Sequence, residues 1–202
     1  MQVGRAFALL AFLNSTTALI WRFFISTGEF PPLLTLWGLF GYFTIFANTA
    51  IAVVGAAMAF APHSRMASAP MRHATLVSIL GVGLIYSVAL RSLADMTGAA
   101  ALVNHMFHDV APLLFLLAWL SFDHGELLPR NILTALIFPI FYLIYAMIRG
   151  AVTDWYPYWF LDPTTVGVWQ FALTVVVLFA VFGAISAAVK GADRLLAGAG
   201  NR

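Results

Sequence analysis

The chain has 202 residues, of which 62% are hydrophobic and 9% charged, with a formal net charge of +2, no cysteine and a mean hydropathy of +0.94. Too few polar side chains are present to coat a water-soluble globule, so the composition predicts a surface solvated by lipid. Disulfides, thiolate metal sites and a cysteine nucleophile are excluded, and so small a net charge gives no reason to expect nucleic acid as a partner.

A bilayer core of roughly 30 Å needs about 20 apolar residues per helix. Six such runs follow one another, at 5–27, 33–61, 74–90, 102–122, 132–148 and 165–189. They predict an all-α integral membrane protein, one domain over 1–202 built as a bundle of six transmembrane helices, with no soluble domain between them. The linkers carry the breakers: Gly28 with Pro31 and Pro32, Pro62 through Pro70, Thr97 and Gly98, His124 and Gly125, and the aromatic loop 154–163. A cleaved signal peptide is the rival reading of the first run. The apolar stretch continues past Ala18 without a clean small-residue cleavage site, which favours a retained span.

Orientation follows from lysine and arginine asymmetry in the short flanking segments. With the N-terminus in the cytoplasm, that side receives Arg5, Arg65, Arg72, Arg130, Lys190, Arg194 and Arg202, whereas Arg22, Arg91 and Arg149 fall on the other side, each at a helix end. Both termini are therefore expected inside.

Polar groups within hydrocarbon are costly and are functional candidates by default. Among those within or bordering the runs, the candidates are Arg22, Thr44, Asn48, Arg91, Asn104, His105, His108, Asp109 and Arg149. On this topology they share one depth, a polar layer in the outer half of the bundle beneath the loop 154–162, with no such cluster expected in the cytoplasmic half. Residues four apart share a helix face, which pairs Thr44 with Asn48, Asn104 with His108, and His105 with Asp109. Asn104 is placed to orient His108, and Pro112 to loosen the helix behind it. An imidazole so held is suited to act as a general base. Each residue also has a plainer reading. Thr44 would bond a preceding carbonyl, Asn48 would glue helices together, His105 would hold the fold through Asp109, the arginines would anchor at head groups, and the loop aromatics would form an interfacial belt.

Three stretches carry a resemblance: Tyr42-Phe43-Thr44-Ile45-Phe46-Ala47-Asn48, Asn104-His105-Met106-Phe107-His108, and Tyr156-Pro157-Tyr158-Trp159-Phe160-Leu161-Asp162. In order and in spacing among the spans, they resemble landmarks of the predicted six-transmembrane proteins of bacteria and the eukaryotic androgen-induced membrane hydrolases. The resemblance implies a threonine hydrolase of the bacterial plasma membrane with cytoplasmic termini. In the eukaryotic branch the substrates are fatty acid esters of hydroxy fatty acids. By motif, the threonine falls on Thr44 and the histidine on His108. Where the bacterial branch often has serine before the asparagine, this chain has Ala47 before Asn48.

The implied chemistry makes demands of its own. A threonine hydroxyl needs a base within hydrogen-bonding reach, for which His108 is the candidate. The oxyanion needs donors, for which Asn48, Asn104 and His105 are the side chains at hand. A lipid carboxylate would favour a nearby cation, supplied by Arg22, Arg91 or Arg149. Neither a cofactor nor a metal is called for, and the expected partners are membrane lipids and a lipid ester. Two other classes compete: a metal site built from His105, His108 and Asp109, and a transporter of protons or small solutes using the polar layer.

Overall fold

The computed structural model describes residues 2–199, so Arg202, counted above on the cytoplasmic side, lies outside them. All secondary structure among the described residues is helical. Six helices are long and apolar enough to cross a membrane: α1 (Gln2–Thr27), α2 (Phe43–Phe60), α3 (Ala69–Leu93), α4 (Gly98–Leu120), α5 (Asn131–Thr153) and α6 (Val168–Gly198). Large apolar side chains such as Leu33, Val88, Val152 and Trp169 stand exposed on the outside of the bundle. A surface of this kind suits hydrocarbon rather than water.

The predicted second span, 33–61, is broken in two. A short helix, Pro32–Leu39, is followed by a turn at Phe40, Gly41 and Tyr42, and α2 begins only at Phe43. Gly41 supplies the corner. A side chain there would meet Trp155 at 2.6 Å and Arg149 at 2.9 Å. The break moves Thr44 from the middle of a helix to its second residue.

Packing begins from a stripe that can be read in the sequence. Gly4, Ala8, Ala11, Ser15 and Ala18 are the buried residues of α1, spaced alternately four and three apart so that one face is made of small side chains. Along it α1 lies against α2 and α4, and at Gly55 a Cβ would sit 3.2 Å from the Ala8 carbonyl. Small residues allow this close approach where no hydrophobic driving force draws helices together. Helix α3 is central, with Leu76, Val77, Ser78 and Ile79 all buried, and α6 packs against it.

Helices α3 and α4 each contain one widened π turn, Tyr86–Leu90 and Met106–Val110. The second lies immediately before Pro112, which has no N–H to offer the His108 carbonyl and whose ring crowds the preceding turn. That carbonyl faces Gly83 of α3, where a Cβ would lie 3.1 Å from it.

Polar groups are not confined to the end of the bundle that carries Thr44. At the opposite end Arg72, His73, Asn131, Ser186, Lys190 and Asp193 are buried together, contrary to the expectation of an apolar half. Asp193 accepts from the Gly125 and Leu127 amides at 3.0 and 3.3 Å. Arg72 donates to the Asp123 carbonyl at 3.0 Å, and His73 Nε2 lies 3.2 Å from the Ser186 carbonyl. The predicted spans began at Ala74 and Ile132 and stopped at Val189, so Arg72, His73, Asn131, Lys190 and Asp193 fell into presumed loops, while Ser186 lay inside the last span. The helices in fact run further, and the ends close over their own polar groups.

Candidate active site

The start of α2 is held from three directions. Tyr142 of α5 donates to the Gly41 carbonyl at 2.8 Å. Arg149 is buried between the rings of Trp37 and Trp155, at 4.2 and 4.8 Å from their centres, and donates to the Tyr145 hydroxyl at 3.0 Å. Tyr158, from the loop between α5 and α6, accepts the Phe43 amide at 3.1 Å. A helix start leaves its first amides without intrahelical partners, and here a phenol takes the first of them.

Thr44 follows, and its Oγ1 lies 3.3 Å from His108 Nε2. The other ring nitrogen, Nδ1, is 2.9 Å from the Asn104 carbonyl oxygen. A carbonyl only accepts, so Nδ1 carries the proton, and in the neutral ring Nε2 presents its lone pair to the Thr44 hydroxyl. Tyr86 of α3 stacks on the imidazole, with centroids 3.8 Å apart and planes 21° from parallel. The Asn104 side chain donates to the Tyr86 hydroxyl. Asn104 thus orients His108 through its backbone, and its amide group steadies the ring stacked upon it.

Two cavities meet at this point. One, of about 60 Å³, is lined by side chains of α3, α5 and α6, including Val82, Pro139, Leu178 and Phe182. The other, of about 280 Å³, lies toward α1 and α4 and is lined by Arg22, Leu39, Met96 and Phe107 among others. Thr44, Tyr86, Leu90, His108 and Tyr158 line both. The hydroxyl and imidazole therefore stand at the junction of two mostly apolar spaces.

The remaining sequence candidates divide. Arg22 and Asn104 line the larger cavity. Asn48 does not line either; fully buried, it donates to the Thr44 carbonyl at 2.9 Å and accepts from Ser15 at 3.0 Å, tying α2 to α1. Its side chain makes these two bonds and none to the hydroxyl of Thr44. His105 is exposed and lies 2.7 Å from Asp109, which also takes Arg91. His105 and Asp109 share one face of α4, to which Arg91 of α3 is bound, and Asn104 and His108 share the next. No group of three or more histidine and acidic side chains placed to share a metal ion occurs among the described residues. Arg91 and Arg149 are thus committed to protein partners, Asp109 for the first and aromatic rings for the second.

Tyr86, Tyr142 and Tyr158 were not among the candidates. The loop was read as an interfacial belt, but Phe160 and Leu161 are buried and Tyr158 reaches the site, while Trp159 remains half exposed. The signal available was Pro157, which stiffens the approach to Tyr158, and the place of that tyrosine in one of the three landmark stretches.

The fold and site together define a bundle of six long apolar helices with a threonine–histidine pair at the meeting of two cavities. Compared with protein-family models, with curated proteins and with solved structures, the chain matches none.

Proposed function

We propose that the chain is an integral membrane hydrolase of lipid esters in which Thr44 is the nucleophile and His108 its base. The observation that carries this reading is the 3.3 Å approach of Thr44 Oγ1 to the unprotonated nitrogen of a histidine whose other nitrogen is spent on a backbone carbonyl. As Oγ1 bonds to the ester carbonyl carbon, its proton passes to Nε2. The bond from that carbon to the alcohol oxygen then breaks, with the proton going from Nε2 to the departing oxygen. Water, deprotonated by the same nitrogen, releases the acid from Thr44.

The resemblance to the six-transmembrane proteins of bacteria and the androgen-induced hydrolases supports this assignment and suggests fatty acid esters of hydroxy fatty acids as substrates. Arg22 lines the larger cavity and has no ion pair among the described residues, so it is the cation best placed for an anionic end of such an ester. The helices cross the bacterial plasma membrane with both termini in the cytoplasm. Support comes from the exposed Arg5, Arg65, Arg130 and Arg194 at the terminal end; Arg72 and Lys190 are buried there and add less to the bias.

The test is labelling of the purified protein in detergent with a fluorophosphonate, comparing wild type with Thr44→Ala and His108→Ala. The reading expects labelling of the wild type alone, with both variants folded. An unlabelled wild type that also leaves lipid esters intact would overturn it.

A second reading, a transporter of protons or small solutes, draws on the buried polar cluster at the far end. Between that cluster and Thr44 lie Ile51, Val54, Leu76, Ile79 and Phe115, all essentially inaccessible. Flux in sealed vesicles would decide for it.

A further inference from the structure

The reaction proposed above generates an oxyanion, and the donors suggested by sequence are each engaged with other partners. Asn48 and Asn104 spend their side-chain amides on the Thr44 carbonyl and the Tyr86 hydroxyl, and His105 lies outside both cavities beside Asp109. We infer that the Tyr158 hydroxyl is the oxyanion donor of the site and hence a catalytic residue, a conclusion that rests on the hydrolase reading and deepens it.

Four observations converge on this phenol. It lines both cavities together with Thr44 and His108. Its oxygen already accepts the Phe43 amide at 3.1 Å, which leaves its own proton to donate. The hydroxyl is anchored on the amide of the residue before Thr44 and shares both cavities with the Thr44 side chain, so a carbonyl attacked by Thr44 comes within its reach. The ring is fixed, parallel to Phe160 at 5.3 Å and edge-on to Tyr42 at 6.0 Å. A donor that is held in place before the reaction needs no reorganisation when charge develops.

Two further effects strengthen the donor. Burial raises the phenol above its ordinary ionisation range, against the opposing pull of the Phe43 amide, so the proton is present whenever His108 acts as a base. The accepted amide belongs to the first turn of α2, whose positive end polarises the phenol toward donation. In the resting site the hydroxyl faces the cavities it shares with Thr44. Once Oγ1 has bonded to the carbonyl carbon, the same proton faces the oxygen that has taken the carbonyl electron pair.

The experiment uses full-length protein in detergent, a lipid ester substrate, and a long-chain trifluoromethyl ketone whose threonine adduct carries the oxyanion. Tyr158→Phe is expected to lower kcat by about 10²- to 10³-fold with KM within about threefold, and to weaken the ketone in proportion. A wild-type enzyme that hydrolyses ester while Tyr158→Phe keeps its kcat and ketone affinity would overturn the inference and leave the hydrolase reading intact. A wild type without hydrolysis would overturn both. Should Tyr158→Phe fail to fold, replacement of Tyr158 by 3-fluorotyrosine keeps the shape of the ring. Its fluorine resonance is expected to shift when the adduct forms, and an unchanged resonance on an active, inhibited enzyme would equally overturn the inference.

Discussion

The ring of Tyr86 lies face to face with that of His108 at 3.8 Å, joining the π turn of α3 to the π turn of α4. Stacked aromatic pairs are worth about 0.5–1.5 kcal/mol beyond burial, enough to decide how much of the time the imidazole points at Thr44. Tyr86→Ala is therefore expected to lower kcat by roughly two- to tenfold, whereas Tyr86→Phe, which keeps the stack and loses only the bond from Asn104, should stay closer to wild type. Initial rates on a lipid ester check the order. A Tyr86→Phe variant as slow as Tyr86→Ala would assign the effect to the hydroxyl.

Gly41 and Gly38 make a matched pair for the break before α2. A Cβ on Gly41 would press into Trp155 at 2.6 Å and Arg149 at 2.9 Å, whereas one on Gly38 meets nothing within 4 Å. Gly41→Ala should lower stability by about 1–3 kcal/mol through overpacking, and it should slow hydrolysis because Thr44 is three residues away. Gly38→Ala sits in a short helix with open space and should be neutral or stabilise by up to about 1 kcal/mol. Thermal unfolding in detergent separates the two; equal effects would deny that close packing at Gly41 sets the corner.

The two glycines also show where the sequence could be read and where it could not. Hydropathy located six spans, because apolar length is a local property, although the second begins at Phe43 and the last runs on to Gly198. It ran the short helix and α2 together, since the reason for the break lies in Trp155 and Arg149, over a hundred residues away. Helical spacing put His105 and Asp109 on one face and His108 on another, and their contacts follow that pattern. Arg149 was legible as a costly charge but not as a buried clamp, because its aromatic partners come from two other segments. Tyr158 escaped for the same reason: an aromatic in a loop looks like a membrane anchor until the loop is seen to fold inward. The far polar cluster was missed because all its residues but Ser186 sit just beyond the hydrophobic runs.

Asp162 opens the turn before α6 and accepts from the amides and hydroxyls of both Thr164 and Thr165. These bonds hold its carboxyl below the usual carboxylate range. A depressed folded-state value means that the contribution is fully present above the unfolded value of 3.8 and is lost as pH falls through the lower folded one. The loop that presents Tyr158 should accordingly become more sensitive to an acid-tolerant protease as pH drops below about 4. Asp162→Asn should show that sensitivity already at neutral pH and little further change on acidification. Peptide mapping of the cuts reads the result, and a wild-type pattern independent of pH would count against the cap.

Asp193 organises the opposite end of the bundle. Almost inaccessible, it receives the Gly125 and Leu127 amides and lies 3.5 Å from His124 Nδ1. Asp193→Ala would strand two backbone donors, and a buried donor without a partner costs about 1–3 kcal/mol. Asp193→Asn keeps one oxygen for the amides but gives up the charge that faces His124. The expected order of thermal stability in detergent is wild type, then Asn, then Ala. Hydrolysis per folded molecule should be unchanged in both variants, because the Ile51, Leu76 and Phe115 layer separates Asp193 from Thr44. A variant that folds as well as wild type yet alters hydrolysis, or admits flux across sealed vesicles, would show the two polar ends to be coupled, and would move the functional reading from an isolated hydrolase centre toward a path through the bundle.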